Sequence, residues 1–223
     1  MRASLPARPG RPPGLLVALV GAVAASAGDL ALLWVGWAND GRLRVPAAPA
    51  GTLLVGYYLG VFGIPLYVLG YAALADGIRD AAPGAARAVR LLGAVGSVLG
   101  TVVHGLTGAL MHAAIRTGAS TAPSDLLAIP EAAFLLPLWV IVALALATGA
   151  VVFAAAVRRG DTRFPRWMAL CNPLVATVAI AVLATPFPTL AGFVAPAAPN
   201  LAHIVVFAAA LLIAMRWSDI SRA

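Results

Sequence analysis

The stretch "ASAGDLALLWVGWA", Ala25–Ala38, decides how this chain folds. It belongs to an apolar run that begins at Leu15, and it places a carboxylate, Asp29, in the interior of that run. Ala25-Ser26-Ala27 has the A-x-A pattern of a signal-peptidase site, so the segment is either a cleaved leader or a membrane helix with a buried acid. The apolar residues continue through Leu30–Ala38, which alone are too short to span a bilayer. The sequence therefore favours an uncut helix.

The composition predicts a membrane protein. Of the 223 residues, 62% are apolar and 10% are charged, and the mean hydropathy is +0.96. A soluble domain needs far more polar surface. Six apolar runs are long enough to cross about 30 Å of hydrocarbon. They are Leu15–Ala38, Leu53–Ala75, Leu91–Ile115, Pro130–Val157, Trp167–Thr185 and Leu201–Trp217.

The arginines predict the orientation. All fifteen basic residues are arginine, and alternating connections place twelve of them on one side of the six runs and three on the other. This bias predicts cytoplasmic termini. It also explains the net charge of +7 without a nucleic-acid partner. The predicted fold is an all-α, integral membrane six-helix bundle, with the transmembrane domain at 15–217 and cytoplasmic tails at 1–14 and 218–223.

Three ionisable residues lie inside the predicted spans and are candidates for a binding site. Helical rise places Asp29, His104 and His203 about 20 Å from the cytoplasmic ends of their helices, in one layer of the outer half of the membrane. An intramembrane Asp costs about 2.5–3.5 kcal/mol on insertion scales, so such a residue predicts a function. A structural hydrogen bond that fixes the order of the helices is an equally weighted alternative.

A second polar layer lies nearer the predicted outer surface. Its candidate binding residues are Tyr57, His112, Glu131 and Asn200. Tyrosine is typical of the membrane interface, and an acid at a helix start interacts favourably with the helix dipole. The "GYYLG" stretch, Gly56–Gly60, has the spacing of small residues that allows close helix packing.

The candidate residues leave two chemistries open. Asp29, His104 and His203 could ligate zinc, although no HxxxH or HExxH spacing supports this hypothesis. An Asp–His pair could instead exchange protons in a transporter or in an acid-catalysed reaction. The single cysteine, Cys171, excludes both an intramolecular disulfide and a CxxC metal motif.

Four short motifs carry a resemblance to a known family. They are "GDLALLW" at 28–34, "LGVFGIPLYVLGY" at 59–71, the histidine after a glycine-rich stretch at 104, and "NPL" at 172–174. Together they resemble a bacterial six-span family catalogued only as a domain of unknown function. The resemblance implies the fold, but it implies no activity, cofactor or site residues.

The sequence thus leads to a multi-pass protein of the bacterial cell membrane, surrounded by the lipid bilayer. The first hypothesis for its function is binding or transport of a small hydrophobic or proton-linked solute. The alternatives are an intramembrane enzyme acting on a lipid or isoprenoid, and a structural partner of another membrane protein. The sequence leaves the cofactor, the substrate and the oligomeric state open.

The first testable prediction concerns topology. Because the arginine bias predicts cytoplasmic termini, a reporter fused after Ala223 is expected to be active only in the cytoplasm. Periplasmic activity would contradict the predicted six-span topology. Mass spectrometry of the mature chain tests the uncut helix, since cleavage at the A-x-A pattern would leave Gly28 as the first residue.

Overall fold

The computed structural model describes residues 12–33, 50–116 and 131–220, and within these ranges the chain forms helices and no strand. The predicted all-α class is confirmed. The tail 1–11, the connections 34–49 and 117–130, and residues 221–223 lie outside the described residues. The outer arginines Arg42 and Arg44 and the end of the first predicted span belong to these segments.

The described residues contain seven α-helices. A 3₁₀ turn over Ile64–Leu66 separates α2 from α3, a π-helical turn over Glu131–Leu135 leads into α5, and a 3₁₀ turn over Arg166–Ala169 precedes α6. The helices are α1 Pro12–Leu33, α2 Ala50–Gly63, α3 Tyr67–Ile78, α4 Pro83–Arg116, α5 Leu136–Arg159, α6 Pro173–Ala184 and α7 Pro188–Ile220.

Five helical segments in the described ranges are long and apolar enough to cross a membrane, whereas the sequence predicted six spans. The five are Pro13–Leu32, Gly51–Ile78 (α2 and α3 together), Pro83–Ala113, Ala133–Arg159 and Val194–Arg216. Each overlaps one of the predicted runs, so the pattern of apolar residues located these helices correctly.

The predicted span Trp167–Thr185 differs from the structure. Its helix is only α6, whose twelve residues extend about 18 Å at about 1.5 Å per residue. The helix begins at Pro173 because proline is favoured in the first turn, where its missing N–H is not needed. Asn172 caps this start, since its side chain accepts a hydrogen bond from the Val175 N–H and donates one to the Ala169 carbonyl.

The last helix is longer than the predicted span Leu201–Trp217. It begins at Pro188 and continues through Pro196 and Pro199. Each internal proline removes one backbone hydrogen bond of the helix. The helix nevertheless persists because it packs on both α1 and α6. As a result, Asn200 lies inside α7 and not in the connection before it.

Glycine contacts bring α1 and α2 together at two points, two helical turns apart. A Cβ atom at Gly28 would lie 2.7 Å from the Gly56 carbonyl oxygen, and one at Gly63 would lie 2.6 Å from the Gly21 carbonyl oxygen. No side chain larger than hydrogen fits at either point unless the backbones separate. Such glycine contacts let membrane helices pack backbone to backbone. The predicted packing role of Gly56 is therefore present in the structure.

The two ends of the bundle differ in charge. Asp76 accepts a hydrogen bond from Arg90 Nη2 at 2.7 Å, and Asp80 accepts one from Arg163 at 3.0 Å. These contacts hold the α3–α4 connection and the α5–α6 connection at one end of the bundle. We call this the arginine-rich end, and the end where α1 finishes and α2 begins the arginine-poor end. Described arginines of the arginine-rich end are Arg79, Arg87, Arg90, Arg158, Arg159, Arg163, Arg166 and Arg216.

The glycine contact between α1 and α2 leads to a stability prediction. Gly28→Ala forces a methyl group against the α2 backbone and is expected to destabilise the protein by about 1–3 kcal/mol, the usual cost of overpacking. Thermal unfolding in detergent measures the change. Gly84→Ala is the matched control, because a Cβ at Gly84 meets nothing within 4 Å. Equal melting temperatures for Gly28→Ala and the parent would contradict the close contact.

Candidate functional site

Asp29 is the centre of a buried polar network. Its side chain lies on α1 and only 7% of the residue is exposed. One carboxylate oxygen, Oδ1, lies 3.1 Å from His104 Nδ1 on α4. The other, Oδ2, accepts a hydrogen bond of 2.6 Å from the Asn200 side-chain amide on α7. The carboxylate therefore connects three helices, and both of its oxygens have a polar partner.

His104 contacts a hydrogen-bond acceptor on each side of its ring. Nδ1 faces the Asp29 carboxylate, and Nε2 lies 3.2 Å from the Gly56 carbonyl oxygen on α2. A neutral imidazole has only one N–H, so it cannot donate to both. Both contacts are satisfied if one extra proton is held between Asp29 and His104, either on Nδ1 or on the carboxyl oxygen. We call these two residues the Asp29–His104 pair; holding that proton, the pair has no net charge.

The position of the His104 ring depends on a glycine of α2. A Cβ atom at Gly60 would overlap the ring, with Nε2, Cδ2 and Cε1 as its nearest neighbours. Gly56, one turn away on the same helix, supplies the carbonyl that Nε2 contacts. The "GYYLG" stretch thus serves two purposes, since Gly56 packs on α1 and Gly60 leaves room for His104.

Asn200 extends the network to α3. The Tyr67 hydroxyl donates to Asn200 Oδ1 at 2.7 Å, which fixes the orientation of the amide so that its NH₂ group points to Asp29. Tyr67 is 2% exposed. The hydrogen bonds run from Tyr67 through Asn200 to the Asp29–His104 pair, and they cross from α3 to α7, α1 and α4.

His203 belongs to a separate set of hydrogen bonds beside this network. Its Nδ1 donates to the Pro199 carbonyl oxygen at 2.6 Å, and its Nε2 accepts from the Tyr71 hydroxyl at 2.7 Å. One donor and one acceptor satisfy a neutral imidazole. The ring also stacks on Tyr67, with centroids 4.4 Å apart. His203 therefore supports the network through Tyr67 without a direct hydrogen bond to Asp29.

The remaining predicted site residues do not join this network within the described residues. Tyr57 packs against Gly108 and the apolar cluster of Leu32, Leu53 and Met111. His112 is half-buried, and its Nδ1 is buried without a hydrogen-bond partner in the described part of the chain. Glu131 begins the π-helical turn before α5, and its side chain lies outside the description.

The three predicted zinc ligands are not grouped as a metal site. Asp29 contacts His104, but both nitrogens of His203 are engaged by Tyr71 and Pro199. Across the described ranges, no three His, Cys, Asp or Glu residues are arranged to hold a metal ion. The zinc hypothesis is therefore replaced by one based on the Asp29–His104 pair.

Sequence reasoning missed two tyrosines and the role of one glycine. Tyr67 and Tyr71 are four residues apart on α3, and their partners Asn200 and His203 are three residues apart on α7. Both spacings place a pair of side chains on one face of a helix. Matching these two faces would have indicated the contact. No pattern in the sequence indicates that Gly60 borders an imidazole ring on another helix.

Comparison with protein families agrees with the motifs that resemble a family of unknown function. A family model, the family of unknown function DUF6796, matches residues 14–216. The chain belongs to DUF6796. The match covers every residue of the hydrogen-bonded network. No curated protein and no solved structure matches the chain.

The contact between Asn200 and Asp29 leads to a pH-dependent prediction. Asn200→Asp places a second carboxylate at hydrogen-bond distance from Asp29, and like charges this close cannot both remain ionised. The variant is expected to be less stable than the parent at neutral pH and to regain stability in acid, where a proton bridges the two carboxylates. Thermal melting between pH 5 and 8 measures this. Asn200→Ala is the control, because it loses the amide without adding a charge and should show no such recovery. Equal pH dependence of the two variants would contradict the contact.

Proposed function

We propose that this chain is a multi-pass protein of the bacterial cell membrane that binds a proton at the Asp29–His104 pair and couples it to the binding or transport of a small hydrophobic solute. The observation that carries the proposal is the pair of acceptors, Asp29 and the Gly56 carbonyl, on the two sides of the buried His104 ring. Both of these contacts are hydrogen bonds only when the Asp29–His104 pair holds an extra proton.

The surroundings of the Asp29–His104 pair support a proton as the species that is exchanged. A charged group in an apolar helix bundle costs several kcal/mol unless it is neutralised. The pair is neutral with its proton and negative without it, so a change in its proton content changes the stability of the site. The apolar neighbours Leu32, Leu53 and Met111, each 2% exposed or less, favour a small hydrophobic solute over a charged one.

The arginines support an orientation with the arginine-rich end in the cytoplasm. On α4, His104 lies about 21 Å from Arg90 at about 1.5 Å per residue. On α1, Asp29 is three residues from Leu32, the arginine-poor end of its candidate span. In this orientation, the Asp29–His104 pair lies in the outer half of the membrane and exchanges protons more readily with the outside.

A purely structural role is the competing explanation. The hydrogen bonds of Asp29 join α1 to α4 and α7, and such bonds fix the arrangement of helices. A structural role, however, needs only hydrogen bonds, whereas a proton-binding role needs groups that titrate. Variants that retain the hydrogen bonds but cannot titrate distinguish the two.

Asp29→Asn is such a variant. Its NH₂ group can donate to His104 Nδ1 as a protonated carboxyl does, and its oxygen can still accept from Asn200. The fold and the melting temperature are expected to stay near those of the parent, while proton exchange and biological activity are lost. Growth complementation of a deletion strain and the pH-dependent carboxyl band in infrared spectra measure the two losses. His104→Gln is expected to lose biological activity in the same way; it keeps the Asp29 carboxyl, so growth complementation alone is its measurement.

The matched control is His112→Gln, which removes a titratable histidine from the same helix without touching the Asp29–His104 pair. It should complement growth and retain the carboxyl band. Full complementation by both Asp29→Asn and His104→Gln would reject the proton-binding function and leave the structural explanation.

A further inference from the structure

The contact between His104 and α2 changes when the Asp29–His104 pair loses its proton. The deprotonated pair has one N–H for two acceptors, the Asp29 carboxylate and the Gly56 carbonyl. Hydrogen bonds to a carboxylate are roughly twice as strong as those between neutral groups, so the carboxylate retains the N–H. The lone pair of Nε2 then faces the Gly56 oxygen across 3.2 Å, and this contact between α4 and α2 becomes repulsive.

We propose that Gly60 is a positioning residue that makes this coupling possible. Because Gly60 has no side chain, the His104 ring can lie against the α2 backbone, where Nε2 reaches the Gly56 carbonyl. The proton on the Asp29–His104 pair thereby determines whether α2 and α4 attract or repel each other at this point. This inference rests on the proposed proton-binding function and assigns α2 as the helix that responds to the proton.

The packing of α2 is consistent with this response. Leu53 lies one turn from Gly56 towards the arginine-poor end, and it packs in the fully buried cluster with Leu32 and Met111. A shift of α2 away from α4 therefore also separates Leu53 from Met111. This apolar cluster lies between the Asp29–His104 pair and the arginine-poor end. Separation of its side chains would therefore open the shorter route from the surface to the pair.

The other titratable groups near His104 do not compete for its ring in the described structure. From α7, His203 contacts Tyr71, and from α3, Tyr67 contacts Asn200. Tyr57 of α2 and His112 of α4 have no hydrogen bond to the ring, and the arginines of α5, Arg158 and Arg159, lie at the arginine-rich end. The hydrogen bonds of the ring that depend on the proton are therefore those to the Asp29 carboxylate and the Gly56 carbonyl.

The test measures the His104 ring directly. The chain has only three histidines, so ¹⁵N-histidine labelling gives few ring signals, and those of His104 are assigned by their loss in His104→Gln. In the parent at low pH, Nε2 is expected to show the shift of a hydrogen-bonded N–H group and Nδ1 that of a nitrogen hydrogen-bonded to Asp29, and the Nε2 signal should change as the pair deprotonates. In Gly60→Ala the ring is displaced, and this two-sided signature and its pH dependence are expected to be lost.

Gly105→Ala is the matched control. A Cβ at Gly105 meets Val61 at 3.5 Å, an ordinary contact, so the His104 signals are expected to stay as in the parent. Parent-like His104 signals in Gly60→Ala would overturn the positioning role. That result would leave the proton-binding function intact, since the latter is tested independently by Asp29→Asn and His104→Gln.

Hydrogen exchange of α2 tests the coupling itself. The amide exchange rate of residues 53–63 in the parent is divided by the rate of the same residues in Asp29→Asn at the same pH. This ratio cancels the chemical effect of pH on amide exchange. This ratio is expected to rise about tenfold from acid to alkaline pH, as the loss of one hydrogen bond predicts. A ratio that stays constant with pH would overturn the coupling.

Gly60→Ala could also prevent folding. In that case, Gly60→Ala combined with His104→Ala removes the ring that the new methyl group overlaps. Recovery of folding in the double variant supports the positioning role, because the clash is then with His104. A double variant that still does not fold, although His104→Ala alone folds, would show that Gly60 is needed for another reason, and it would overturn the proposal.

Discussion

The contact between Asp29 and His104 is the interaction on which the buried network from Tyr67 through Asn200 depends. An isolated carboxylate among apolar helices would be costly, and it would favour either expulsion from the bundle or permanent protonation. The histidine allows the carboxylate to remain buried, because the two groups together can hold a proton with no net charge. Asn200 satisfies the second carboxylate oxygen. Removing any of these partners leaves a buried polar atom without a hydrogen bond, which costs more than the bond itself contributes.

This contact in turn requires helices that approach more closely than usual. The backbones of α1 and α2 are in contact at Gly28 and Gly56, and the His104 ring lies against Gly60. Three glycines therefore make space for one buried pair of side chains. Glycine lowers the stability of a helix interior by about 1 kcal/mol relative to alanine. The close packing and the hydrogen bonds of the site offset that loss.

Much of the fold could be predicted from the sequence because apolar length and arginine placement are properties of single segments. The similar depth of Asp29 and His104 also follows from one helix at a time, whereas Asn200 was predicted nearer the outer surface and instead contacts Asp29. The contacts between helices cannot be predicted from single segments in this way. The pairing of Tyr71 with His203 and the engagement of both His203 nitrogens depend on how α3 and α7 face each other, which the spacing within either helix alone does not determine. The zinc hypothesis assumed that three residues at similar depth converge on one point, whereas the described structure joins Asp29 to His104 and engages His203 elsewhere. The "NP" dipeptide at Asn172 indicates a helix cap, but the apolar residues on both sides of it predicted one continuous span, Trp167–Thr185.

The short helix α6 has a consequence for how the chain enters a membrane. Twelve residues are too few to cross the hydrocarbon layer alone, and the 3₁₀ turn and irregular residues that precede them satisfy fewer backbone polar groups internally than an α-helix does. Met168, Ala169 and Asn172 are correspondingly buried by the rest of the protein. The segment is therefore stable at this depth only when α5 and α7 already flank it. Insertion of the last third of the chain into a bilayer would therefore have to be cooperative, because it would depend on tertiary structure and not on the hydrophobicity of separate spans.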